Sequence, residues 1–220
     1  MALKIFKTFD LFKAGVLLFV LASLLLDPVS ALAIGGAETN PPGIADFVKA
    51  VQNGEANVLR GAYVQDVLEL PVVQQPAGNA GYVSYNDGEV TQFRMAAQYG
   101  TIGLLAHNYL SGRRFSQLKA GQEVHLVYGD GRIETFIVTE VLRYQALQPN
   151  SPYSSFRNLD KQETLTAEDM FKRVYFSDGQ VTFQTCIEAE GNQSWGRLFV
   201  IAVPKSEASA SGRLQQQAPR

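Results

Sequence analysis

Three Asp-Gly dipeptides limit what this chain can fold into more than any other feature. Asp87-Gly88 stands between residues 81–85 and 89–93, Asp130-Gly131 between 124–128 and 133–141, and Asp178-Gly179 between 174–176 and 181–185. The flanking runs are short and rich in apolar and β-branched residues. Asp-Gly readily takes the positive φ angles of a tight turn, so each site reads as a β-hairpin. Residues 63–70, which end at Pro71, then Val72-Val73 ahead of the breakers in 76–81, and residues 198–203 complete about eight short strands. Such a series predicts an all-β sandwich or barrel.

Three short helices fit into this pattern. Ile44, Phe47, Val48 and Val51 fall on one helical face and Asn53-Gly54 ends it, which predicts a helix over 44–51. Residues 115–120 can make one turn before Gly121. Thr166 and Asp169 have the spacing of a capping box and open a helix over 166–171. Residues 144–164, rich in Gln, Pro, Asn and Ser, read as a long loop, and loops of that length are often functional.

The N-terminus carries an address. Lys4, Lys7 and Lys13 precede the apolar run 14–26, which Asp27-Pro28 interrupts, and Ala31-Leu32-Ala33 follows. A basic region, a short apolar region and an A-x-A site make a secretory signal peptide. The run falls short of the roughly 18 apolar residues of a membrane span, and an uncleaved N-terminal anchor is the alternative reading. The expected organisation is therefore 1–33 signal or anchor, 34–60 linker and short helix, 61–205 β-domain, and 206–220 disordered tail.

Composition excludes several function classes. The 220 residues hold 19 Lys plus Arg against 21 Asp plus Glu, a formal charge of −2. Without residues 1–33, which hold three Lys and two Asp, the balance is 16 against 19, or −3. No basic field suits a nucleic-acid partner. One Cys and two His cannot build a multi-ligand zinc site. Asp87, Asp130 and Asp178 are accounted for as turn residues, so no metal or cofactor is expected.

The single cysteine, Cys186, cannot form an internal disulfide. In an exported chain it is either a buried, inert thiol or a reactive one. It ends the β run 181–186, and Arg197 opens the next, 197–202. If the two runs pair antiparallel across a loop over 187–196, Cys186 and Arg197 meet at one end of the sheet. There the fixed charge favours a thiolate and can donate to a developing oxyanion. His107 ends the apolar run 103–106 and can face a cleft as an acid or base. His125 lies inside 123–128, opposite Val124, Leu126 and Tyr128, and is expected to share a solvent-facing side with Glu123.

These residues resemble the sortases, cell-surface cysteine transpeptidases of bacteria. That family carries a His after one strand, Thr-Leu-x-Thr-Cys at the end of another, and an Arg opening the next. Here Thr182-Phe183-Gln184-Thr185-Cys186 stands with Phe for the usual Leu, Arg197-Leu198-Phe199-Val200 follows, and His107 comes first in chain order. Gly103-x-x-Ala106-His107 and Phe115-x-x-Leu118-x-x-Gly121 also look like the segment after the His strand. The likeness spans residues 61–203.

The resemblance implies a closed eight-stranded barrel and a reaction. Cys186 would attack the Thr carbonyl of a sorting motif similar to Leu-Pro-x-Thr-Gly on an exported protein, forming a thioester. An amine of the cell envelope or of a pilin would then release the product. His107 would protonate the leaving amine and Arg197 would hold the oxyanion or the substrate backbone. Thr182 and Thr185 would line the substrate groove. Trp195, the sole Trp, sits just before Arg197 and reads either as a wall of that groove or as a partly buried anchoring aromatic. Membrane contact would come through the N-terminal segment. Papain-like peptidases have the reverse Cys–His order, and L,D-transpeptidases carry Ser-His-Gly-Cys, which this chain lacks. A cysteine hydrolase or peptidase, or a sortase-like barrel that binds without turnover, are the remaining alternatives.

Overall fold

A computed structural model describes residue 41 and residues 43–209. The segment read as a signal or anchor lies outside these residues, as does the tail beyond 209. Among the described residues no helix is long and apolar enough to cross a membrane.

The strands are β1 (Leu59–Val64), β2 (Leu68–Gln74), β3 (Val90–Phe93), β4 (Ile102–Leu105), β5 (Glu123–Tyr128), β6 (Ile133–Ala146), β7 (Phe156–Asn158), β8 (Thr164–Leu165), β9 (Val181–Ala189) and β10 (Asn192–Pro204). The helices are α1 (Ile44–Val51), α2 (Arg94–Ala97) and α3 (Ala167–Tyr175), with a 3₁₀ helix at Ser111–Gln117 and further helical residues at 205–209. Hydrogen bonding runs β10-β9-β4-β3-β2-β1-β5-β6, and β6 pairs back onto β10. Eight strands therefore close into a barrel with no free edge. β7 and β8 extend from β6 outside the closure. Two neighbours, β2–β3 and β4–β9, are parallel, and the other pairs are antiparallel.

Alternation decides which side chains fill the barrel. Val181 and Phe183 of β9, Leu198, Val200 and Ala202 of β10, and Val124 and Leu126 of β5 pack in one buried cluster. The 3₁₀ helix adds Phe115, which is fully buried and meets Phe183 edge to face at 5.1 Å. Phe183, where the sortase pattern has Leu, is thus a core residue. Phe183→Ala should cost about 3–5 kcal/mol of stability, read as a lower midpoint at unchanged slope in urea unfolding.

The outer faces are covered in two places. α1 lays Ile44 and Phe47 over Tyr63 and Val127. α3 lays Met170, Val174 and Tyr175 over Phe199 and Ile201 of β10 and Leu142 and Tyr144 of β6. The run from Leu198 to Ala202 is continuously apolar because β10 is buried on both sides there.

The helix over 44–51 and the hairpin at Asp130-Gly131 form where the sequence puts them, with Gly131 at φ 86. Thr166 caps α3 by accepting from the Asp169 amide at 3.1 Å. Other expectations need correction. Residues 63–70 are not one strand: the chain turns at Gln65–Val67, where Asp66 takes φ 59. Asp tolerates this left-handed conformation, so no glycine marks the turn. Pro71 lies within β2, opposite Gly61, at a point β3 does not reach.

Residues 81–85 form no strand, and Asp87-Gly88 is a loop turn. Residues 174–176 end α3, so Asp178-Gly179 joins a helix to β9. The expected one-turn helix at 115–120 is the 3₁₀ helix, four residues earlier. The expected loop 144–164 shortens, because β6 runs on to Ala146 and β7 pairs with it. Residues 205–209 are helical, so the first part of the expected disordered tail is ordered.

Candidate active site

The β9 alternation that sends Val181 and Phe183 inward puts Thr182, Gln184 and Cys186 on the outer face. α3 covers that face up to Gln184. Thr182 is fully buried and donates its hydroxyl to the Val174 carbonyl at 2.7 Å. The Tyr175 hydroxyl donates to Gln184 Oε1, and burial raises the Tyr175 phenol pKa far above its usual value. Cys186 is the first outward residue past this cover. It is half-buried and makes no disulfide.

β10 places Arg197 directly opposite Cys186 in the antiparallel register. Directly opposed side chains share a face, with Cβ atoms about 4.5–5.5 Å apart. The guanidinium is anchored at one end: Nη1 donates to the carbonyls of Ser194 at 3.0 Å and Gly196 at 2.8 Å. The strand pair differs from expectation around them. Residues 187–196 are no loop, since β9 continues to Ala189 and turns at Glu190-Gly191, both at positive φ. β10 restarts at Asn192 with an irregular register up to Gly196. Trp195 sits on that bulged stretch, half-buried, with Nε1 buried and without a hydrogen-bond partner.

His107 arrives from the other side of β9. β4 runs parallel to β9 with Leu105 beside Gln184, and His107 follows two residues later. Two hydrogen bonds staple this exit to the Cys–Arg hairpin. Thr185, itself buried, donates its hydroxyl to the Ala106 carbonyl at 2.8 Å. Asn108 donates from Nδ2 to the Gln193 carbonyl at 3.1 Å. The His107 carbonyl accepts from the amides of Leu110 and Gly112, each at 3.0 Å. Gly112 fits only without a side chain: a Cβ there would lie 2.3 Å from Thr185 Oγ1 and 2.7 Å from the His107 oxygen.

The imidazole lies between two tyrosine rings. Tyr85 stacks on it at 4.9 Å and 27°, and Tyr109 at 5.2 Å and 17°. His107 Nε2 is buried without a hydrogen-bond partner. A buried polar atom left unpaired costs about 1–3 kcal/mol, and among the described residues Trp195 Nε1 and Arg60 Nε share this state.

The fold thus brings His107, just past the end of β4, to the level at which Cys186 and Arg197 oppose each other within β9 and β10. It does not leave Thr182 and Thr185 open to a substrate, because both hydroxyls are buried and already given to backbone carbonyls. They support α3 and the His107 exit instead. His125 is also corrected: it is buried under the α1 side of the barrel, 3.1 Å from Thr135 Oγ1, with its ring 6.1 Å from Tyr63. It lines a separate cavity of about 410 Å³ with Asp66 and Glu123, which none of the three candidate residues touches. Tyr85, Asn108, Tyr109 and Gly112 carry no motif that would have marked them in the sequence.

The chain is similar to solved sortase structures. Sortase A of Listeria monocytogenes is 15% identical, with a TM-score of 0.42 over 67% of this chain and 87% of that one. Sortase A of Corynebacterium diphtheriae is 14% identical, with 0.44 over 78% and 72%. Sortase C1 of Streptococcus suis is 13% identical, with 0.44 over 73% and 76%. No family model and no curated protein matches the chain. Likenesses this distant carry no activity.

Proposed function

We propose that this protein is an exported, sortase-like cysteine transpeptidase. It cleaves a C-terminal sorting motif of exported proteins and passes the acyl group to an amine of the cell envelope or a pilin. The observation that carries the reading is the direct opposition of Cys186 and Arg197 on the open stretch of β9 and β10, with His107 stapled alongside.

Each group has one task. Cys186 Sγ bonds to the Thr carbonyl carbon of the motif. Arg197, anchored through Nη1, aims its remaining donors at the oxyanion that develops. His107 carries the proton to the leaving amine as the amide C–N bond breaks. The acceptor amine then attacks the thioester, gives up a proton to His107, and frees Cys186. Trp195 Nε1, unpartnered beside Arg197, is suited to donate to a substrate carbonyl.

The test is product formation from a panel of sorting-type peptides, with and without a small primary amine, read by mass. Amine-linked product supports transpeptidation. Product unaffected by amine makes the protein a cysteine hydrolase. A folded protein that forms neither product is the binding module.

A further inference from the structure

We infer that Tyr85 and Tyr109 form a clamp that holds the His107 imidazole in the orientation from which it transfers a proton, and that Arg113 sets both jaws. The catalytic part of this inference rests on the function proposed above.

The clamp is built from both ends. Tyr85 is 73% exposed, yet the residues beside it are pinned. The Ser84 amide donates to Thr91 Oγ1 at 2.8 Å, its hydroxyl to Glu89 at 2.7 Å, and the Asn86 amide to Ser84 Oγ at 3.2 Å. Two residues on, the Gly88 amide donates to Ser111 Oγ at 2.8 Å, which ties the loop to the 3₁₀ helix. Tyr109 is held by the tight turn that closes on the His107 carbonyl.

Arg113 joins the two. Its Nη2 and Nη1 reach both oxygens of Asp87, at 2.6 and 3.2 Å, and Nη1 also donates to the Tyr109 carbonyl at 3.4 Å. The hydrogen bond from Arg113 lowers the Asp87 carboxyl pKa, so the link persists into mildly acidic solution. An exposed ion pair of this kind contributes little to stability. Its bidentate geometry fixes where Asp87, and with it the Tyr85 loop, sits relative to Tyr109. Two rings stacked on the imidazole, inclined 27° and 17° to its plane, resist its tipping while leaving rotation in its own plane open. That keeps Nε2 in one plane, where hydrogen bonding has not already engaged it.

The experiment compares the full chain with Tyr85→Ala and Tyr85→Phe in two readouts. The first is the rate at which diethyl pyrocarbonate modifies His107, mapped by mass, with the buried His125 as internal reference. The second is the kcat and KM of peptide transfer. Tyr85→Ala should raise His107 modification by about tenfold and lower kcat by about tenfold at unchanged KM, the cost of a misplaced catalytic group. Tyr85→Phe, which keeps the ring, should restore both. Arg113→Gln should move both readouts in the direction of Tyr85→Ala. Unchanged modification of His107 in Tyr85→Ala overturns the clamp whatever the transfer assay reads, and so does failure of Tyr85→Phe to restore it. If modification rises as expected but the unaltered protein transfers no peptide, the clamp stands and the transpeptidase reading falls.

Discussion

Arg197→Ala is expected to lower the rate of acyl transfer by about 10²–10³-fold while leaving the barrel folded. The guanidinium has two kinds of contact. Nη1 serves structure, bonding the Ser194 and Gly196 carbonyls on its own bulged strand. Nη2 and Nε take no part in those two bonds, and the residue stands directly opposite Cys186 in the strand register. Losing the first contact costs about 1–3 kcal/mol, whereas losing the second removes a charged donor from the oxyanion. Arg197→Lys separates them: it keeps the charge but loses the fork, so it should recover only part of the rate. Steady-state kinetics with thermal unfolding on the same samples checks this. A rate loss no larger than the loss of folded protein would leave Arg197 a structural residue.

His107→Ala should cost about 10²–10⁴-fold on an amide substrate, and the size of the loss should depend on the leaving group. A peptide amine must be protonated as it departs. A nitrophenolate needs no proton, so on an activated ester of the same acyl group the His107→Ala defect should shrink by at least about tenfold. Arg197→Ala should impair ester and amide alike, since both develop the same oxyanion. An equal His107→Ala defect on both substrates would assign His107 to activation of Cys186 rather than to the leaving group.

The parts of this protein that were legible in its sequence are those set by local chemistry. α1 declares itself by spacing, the β5–β6 turn by Asp130-Gly131, and α3 by the Thr166 cap. Cys186 and Arg197 could be paired from the antiparallel reading of two β runs, because strand register converts sequence separation into contact. What stayed hidden depends on tertiary cover or on turns without glycine. His125 looked solvent-facing because nothing in its strand announces that α1 and its neighbours cover that side. The β1–β2 turn at Asp66 lacks the glycine that marks the others. Thr182 and Thr185 read as site residues because they flank Cys186, yet α3 and the His107 exit claim their hydroxyls. Tyr85 could not be found at all: 22 positions before His107, it reaches the imidazole only because Arg113 and Ser111 tie its loop down.

Everything proposed for this site requires that Cys186 form an acyl thioester. The direct measurement is intact mass after brief incubation with a sorting-type peptide and no added amine, followed by peptide mapping and hydroxylamine treatment. The expected result is a mass increase equal to the acyl fragment, located on Cys186, released by neutral hydroxylamine and absent from Cys186→Ala. An adduct on any other residue, or peptide turnover that survives Cys186→Ala, would contradict it.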